Sequence, residues 1–177
     1  MSFNVIEGLD ATGKSTVVDS LGQMGYMVYK TPPDGMDRYR DGFDDVNARF
    51  IYYLSSVLVV GNQIKETGGV CDRYLLTTVV AHEVMGTDKD IIDALMPVMR
   101  NAPKPKRTIL LTADEDVRMK RLILRGASKN DIANMRINTR LLNGYWKWAK
   151  ILEHPIVEVD TSQLTPEQVA DRVRGLI

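Results

Sequence analysis

Short apolar runs alternate along this chain with longer stretches of helical spacing. Phe3 to Glu7, with Val5 and Ile6, reads as a first strand. A glycine-bounded turn, Gly8 to Gly13, leads into a helix from Lys14 to about Met24, where Val17, Val18 and Leu21 fall on one face. Tyr26 to Tyr29 predicts a second strand, ended by Thr31-Pro32-Pro33-Asp34-Gly35, whose prolines forbid regular pairing. Met36 to Asp45 is charged and has no clear period, which fits a loop or a short helix. From Val46 to about Lys65, apolar Phe50, Tyr53, Leu54, Val57, Leu58 and Ile64 recur mostly at three and four, predicting a long helix that Gly68-Gly69 stops. Val70-Cys71-Asp72 is a short third strand, and Leu75 to Val84 and Ile91 to Met99 read as two helices.

The second half repeats the alternation. Asn101 to Pro105 is a proline-bearing turn, Thr108 to Thr112 a buried strand, and Asp114 to about Leu124 a helix. Gly126 to Asp131 is a polar interruption, after which Ile132 to Ala149 is again helical. Ile156 to Val159 supplies a fifth strand, and Thr165 caps a last helix through Val173, with Glu167 and Gln168 near its start. Strands alternating with helices imply an α/β fold with a parallel sheet covered on both faces.

Composition narrows the classes. A length of 177 residues suits one domain, expected over 1–177. Lys plus Arg number 23, as do Asp plus Glu, so no global field attracts a nucleic acid polymer or an acidic membrane. The longest apolar stretch, Leu54 to Val60, holds two serines and is too short to span a bilayer. The one cysteine, Cys71, has no partner for an internal disulfide, and no targeting segment precedes Gly8; both readings point to the cytoplasm.

Candidate chemistry begins at Gly8-Leu9-Asp10-Ala11-Thr12-Gly13-Lys14-Ser15, which satisfies G-x-x-x-x-G-K-[ST] between a strand and a helix. In such a P-loop the glycines let consecutive N–H groups converge on an anion, and the positive end of the helix adds to the same point. The motif assigns Lys14 to the β- and γ-phosphates of ATP and the Ser15 hydroxyl to Mg2+. Asp72 ends the third strand, where a second acidic residue belongs near the metal, and Arg73 and Tyr74 follow it at the sheet edge that binds ligands in open α/β folds.

With these motifs the sequence resembles the thymidylate kinase family of P-loop nucleoside monophosphate kinases, over most of the chain. The acidic P-loop Gly8 to Thr16, the triplet Asp72-Arg73-Tyr74, the arginines Arg121 and Arg125 (with Arg118 as an alternate), the Arg140 to Tyr145 helix and the closing Val159 to Ile177 segment carry the likeness. It implies a three-layer P-loop kinase fold with strand order 2-3-1-4-5 and a short lid around residues 121–131. It implies that Lys14 and Thr16 hold ATP phosphates, that Arg121 lies against adenine, and that Asp10 touches the acceptor's sugar hydroxyl or helps order its phosphate. Arg73 would grip the acceptor phosphate, with Tyr74 beside it. Arg125 would close over the transferred group, adding positive charge where it develops in the transition state. A homodimer packed along the Val46–Lys65 helix is part of the same likeness.

The acceptor side departs from the family. Thr31-Pro32-Pro33-Asp34 lacks the family's phosphate-binding arginine, leaving Arg38 and Arg40 as replacements. Phe50, Tyr52 or Tyr53 offers a ring to stack on a base, yet Leu54, Ser56 and Val57, one turn on, supply no guanidinium. The family's base-contacting glutamine is replaced in the His82-Glu83 region, which reads as a partly exposed helix pair. Losing such pairing groups changes specificity more than catalysis. The phosphoryl acceptor is therefore open: a nucleoside monophosphate leads, with a nucleoside or other small molecule as the alternative and a P-loop ATPase or switch behind it. Cys71 is expected to pack in the core, Trp146 and Trp148 to serve packing or an interface, and His82 and His154 give no metal spacing.

Overall fold

A computed structural model describes residues 1–36, 39, 42–127 and 137–177. Arg38, Arg40, the 128–131 part of the expected lid and the predicted helical start at 132–136 lie outside the described residues.

Five parallel strands form one sheet in the order β2-β3-β1-β4-β5. They are β1 (Phe3–Gly8), β2 (Val28–Lys30), β3 (Gly69–Asp72), β4 (Arg107–Thr112) and β5 (Ile156–Asp160). The helices are α1 (Lys14–Gln23), α2 (Val46–Thr67), α3 (Leu75–Met85), α4 (Lys89–Asn101), α5 (Glu115–Leu124), α6 (Asn138–Leu152) and α7 (Pro166–Arg174). The expected strand order holds, and most boundaries move by one to three residues.

The central strands are apolar almost throughout because both faces are covered. Period-two alternation divides them between two cores. Phe3, Val5, Cys71 and Leu110 face one layer with residues of α2, α3 and α6. Ile6, Val70, Ile109 and Leu111 face the other, with Val17 and Leu21 of α1 and Val169 and Val173 of α7. Local signals set the ends: Asp45 accepts from the Asn47 N–H at 2.7 Å to open α2, and Thr165 with Gln168 forms a capping box on α7. Parallel strands put the ends of β1, β3, β4 and β5 on one edge, so Gly8, Asp72, Thr112 and Asp160 share it. The chain leaves β3 for β4 across β1, and a crevice opens where the order reverses.

The expectation of a partly exposed His82-Glu83 pair holds for Glu83 and fails for His82. His82 is 3% exposed, not part of an open helix pair; its Nδ1 lies 2.7 Å from the Thr78 carbonyl and its ring lies against Phe50 and Tyr53. Glu83 is half-buried and accepts from the Trp148 indole at 2.8 Å, which fixes α6 against α3. Burial pushes His82 and His154 each down to about 4, so both are neutral at pH 7. Between the ordinary histidine value of 6.5 and about 4 the unfolded chain binds more protons than the folded one. Stability is thus expected to fall as pH drops through that window, with up to one proton per histidine in the slope. Urea titrations from pH 7 to 4 check this; a His82→Gln/His154→Gln chain should lose most of that dependence.

Candidate active site

The P-loop turns in left-handed and glycine-only conformations. Gly8 has φ 146°, Ala11 φ 63°, and Gly13, the N-cap of α1, φ 95°. A Cβ on Gly8 would stand 2.4 Å from the Leu111 carbonyl oxygen, so β4 admits only glycine there. Side chains hold the loop from behind. Thr12 Oγ1 and Lys14 Nζ donate to the Leu9 carbonyl at 2.9 and 2.6 Å, Arg118 Nε to that of Asp10 at 2.9 Å, Arg121 to that of Ala11 at 3.3 Å, and the Thr161 hydroxyl to that of Thr12 at 3.1 Å. Four consecutive carbonyls are committed to protein donors, which leaves the opposite, N–H edge of the loop for an anion.

Asp72 and Arg73 reach the loop from β3. Arg73 Nη2 pairs with Asp10 Oδ1 at 3.1 Å, and its Nη1 approaches the Gly8 carbonyl at 3.4 Å. Its backbone sits at φ 62°, held by a donation from its own N–H to Ile6 and by the Thr31 hydroxyl on its carbonyl. Burial works against the Arg73 charge, yet Tyr145, Asp10, Glu7 and Asp72 outweigh it and raise its pKa. Lys14 is pushed down to about 7 by burial first and by Arg73 second, against Asp10, Asp72 and Glu7. Asp72 Oδ1 is buried without a hydrogen-bond partner.

These groups line a cavity of about 410 Å3, within the range for small-molecule sites. Its polar wall is Asp10 to Thr16 with Asp72, Arg73, Arg121 and Arg125, and its apolar end is Leu164, Pro166 and Val169. Arg121 is fixed by two contacts to Thr161, at 3.0 and 2.8 Å, whereas Arg125 is exposed at the end of α5. Arg118, the alternate to these two, is 5% exposed and spent on the loop's back.

The acceptor candidates divide. Phe50 is fully buried against His82, so its ring is core and is not offered to a ligand. Tyr74 is likewise core: its hydroxyl donates to the Pro103 carbonyl at 3.1 Å, tight against Gly61. Tyr52 and Tyr53 are both half-buried and lie edge to face; the Tyr52 hydroxyl donates to the Met36 carbonyl, and the Tyr53 ring lies against His82. Sequence reasoning passed over Glu7, Thr77, Tyr145 and Thr161, which brace the site. The signal for Glu7 was present, since alternation in β1 puts it on the same inward face as Phe3 and Val5.

A P-loop on a 2-3-1-4-5 sheet, with an arginine paired into the loop, defines an ATP-dependent nucleotide kinase. The thymidylate kinase family model matches residues 6–173, and the chain belongs to that family. The chain is 25% identical to thymidylate kinase of Maridesulfovibrio salexigens, over 99% of this chain and 94% of that one. It is 31% identical to human UMP-CMP kinase 2, mitochondrial, over 97% of this chain but 41% of the longer protein. A solved structure of thymidylate kinase from Candida albicans superposes with a TM-score of 0.79, at 20% identity, over 99% of this chain and 90% of that one; this likeness is of fold.

Proposed function

We propose that this chain transfers the γ-phosphoryl group of Mg-ATP to a nucleoside monophosphate. The observation that carries the reading is the Arg73–Asp10 ion pair, which puts an arginine from the end of β3 against the phosphate loop. In this reading the N–H edge from Gly8 to Thr16 and the Lys14 ammonium hold the donor's phosphates. Leu164, Pro166 and Val169, beside Arg121, take the adenine. Arg73 grips the acceptor phosphate, and Asp10 orients that arginine or meets the acceptor's sugar. Arg125, at the end of α5, brings its charge to the transferring group. Holding the two phosphates in line and meeting their charge is most of what phosphoryl transfer asks of a protein.

The residues present fit Mg2+: the unpartnered Asp72 Oδ1 and the Ser15 hydroxyl are oxygen donors on one cavity wall, and this cation takes one or two protein ligands beside phosphates. When bound, it would neutralise phosphate charge.

Thermodynamic linkage gives one consequence. A polyphosphate beside Lys14 returns its pKa toward the ordinary lysine value, so ATP binding at pH 8 takes up close to one proton at Nζ. Affinity is expected to fall by up to about tenfold per pH unit above 7. Calorimetry in buffers of different ionisation heat reads the uptake; zero protons would contradict it.

On the acceptor side, Tyr53 or Tyr52 is the ring proposed to stack on a base, and Arg38 and Arg40, outside the described residues, are the proposed phosphate contacts. We take residues 1–177 as one kinase domain acting in the cytoplasm. Exposed Ile51 and Val59 on α2 support that helix as the face for a second copy. Coupled assays across nucleoside monophosphates, nucleosides and sugars test the proposal. A diphosphate product from at least one monophosphate is expected; turnover of nucleosides alone would move the chain to the nucleoside kinase reading.

A further inference from the structure

Helix α3 lacks a cap of its own. Its N-cap is Tyr74, whose side chain makes no capping bond, and its first turn holds no acidic residue. The missing acceptor comes from β1. Glu7 Oε1 accepts the Tyr74 N–H at 3.0 Å and the Thr77 N–H at 3.1 Å, while Oε2 accepts the Thr77 hydroxyl. Glu7 is 0% exposed, and a buried carboxylate unmatched by donors or positive charge is strongly unfavourable. Three donors and the nearby Arg73 charge oppose this without cancelling it, and burial still holds the Glu7 carboxyl above the ordinary carboxylate value.

The same hydroxyl reaches onward. Thr77 Oγ1 lies 2.8 Å from the Tyr145 hydroxyl and 3.5 Å from Arg73 Nη1. Arg73 stands one residue before the capped turn, at φ 62°, a conformation that persists only where its surroundings enforce it. Glu7 is also the residue immediately before Gly8, where the phosphate loop begins. One carboxylate therefore links the start of the P-loop, the start of α3, a hydroxyl of α6 and the guanidinium that pairs with Asp10.

We infer that Glu7 is a positioning residue which, through Thr77 and the N-terminus of α3, fixes the Arg73 guanidinium where it meets the acceptor's phosphate. This rests on the reading of Arg73 as the acceptor arginine. Glu7 touches neither nucleotide; its main effect is on where Arg73 stands and how its charge is balanced, and its pull on the Lys14 charge is the smallest of those acting there. Losing it allows the α3 turn to relax and Arg73 to settle wholly on Asp10. The donor's contacts run through the loop N–H groups and Lys14, which Thr77 does not touch.

The test is steady-state kinetics on folded Glu7→Gln, Thr77→Val, Thr77→Ser and Arg73→Lys chains, with ATP and the best monophosphate varied separately. Glu7→Gln keeps the shape and removes the charge. It is expected to raise the acceptor KM about tenfold or more, leaving the ATP KM within about twofold. Thr77→Val should show the same split, and Thr77→Ser, which keeps the hydroxyl, should restore it. In the double variant Glu7→Gln/Arg73→Lys the losses should fall short of additive. If Glu7→Gln fails to fold, the Thr77 pair carries the comparison. A Glu7→Gln chain with only a lower Tm, or with both KM values raised alike, overturns the inference while Arg73→Lys still raises the acceptor KM. If Arg73→Lys itself leaves the acceptor KM unchanged, the reading of Arg73 fails and the inference falls with it.

Discussion

Lys14→Ala is expected to lower kcat by at least about a hundredfold, the scale for removing one preorganised charge or donor from a developing oxyanion. Among the described residues, the buried or half-buried arginines around the loop are already committed, and Arg125 stands exposed at the end of α5. Arg121 is committed to Ala11 and Thr161, Arg118 to the Asp10 carbonyl, and Arg73 to the Asp10 carboxylate. The fold should survive, because an ammonium pushed down to about 7 by burial contributes strain to the empty protein rather than stability. Between about 7 and the ordinary lysine value of 10.5 the unfolded chain binds more protons, so wild-type stability rises with pH over that window. Lys14→Ala should flatten that rise and keep or raise Tm at pH 7. Turnover with calorimetry checks both; wild-type turnover would remove the P-loop assignment.

Arg73→Ala is expected to raise the acceptor KM about a hundredfold, with a smaller effect on ATP. Truncating one member of a partly buried charge pair costs about 2–5 kcal/mol, much of it from the partner left behind. Here the partner is Asp10, inside the phosphate loop, so some disturbance of donor binding follows. Arg73→Lys keeps the charge but loses the fork that spans Asp10, Gly8 and Thr77, and should fall between. An effect confined to ATP would move Arg73 to the donor side.

What the sequence made readable follows from how local each signal is. The P-loop is contiguous, and its requirements, a turn, an anion-facing helix end and a lysine, are met within a single strand-turn-helix unit. The strands were visible because burial on both faces makes β1 and β4 apolar runs. The proposed acceptor contacts are scattered over α2, the start of α3 and the sequence after β2, and spacing along one helix does not reveal which face a ring occupies. Phe50 and Tyr53 sit one turn apart, yet the first is sealed against His82 and the second reaches the surface. Tyr74 illustrates the same limit. It adjoins Arg73 in sequence, but its side chain turns inward to Pro103 as α3 begins. For Glu7, alternation in β1 gave the inward face but not the role. A lone acidic residue in an apolar strand reads as an interruption until the donors of Tyr74 and Thr77, nearly seventy residues on, are seen around it.

The bracing of the loop has the same non-local character. Thr161, just past β5, ties Thr12 to Thr112, and Arg118 and Arg121 of α5 close over the loop's carbonyls. Rigid support of this kind keeps the donor geometry independent of which acceptor is bound.

The most direct measurement of phosphoryl transfer is product stoichiometry: ADP and nucleoside diphosphate quantified together, with ATP and one monophosphate at a time. The account predicts equal amounts of ADP and diphosphate for at least one monophosphate, and none of either with Lys14→Ala. ADP formed without diphosphate for every monophosphate would contradict it.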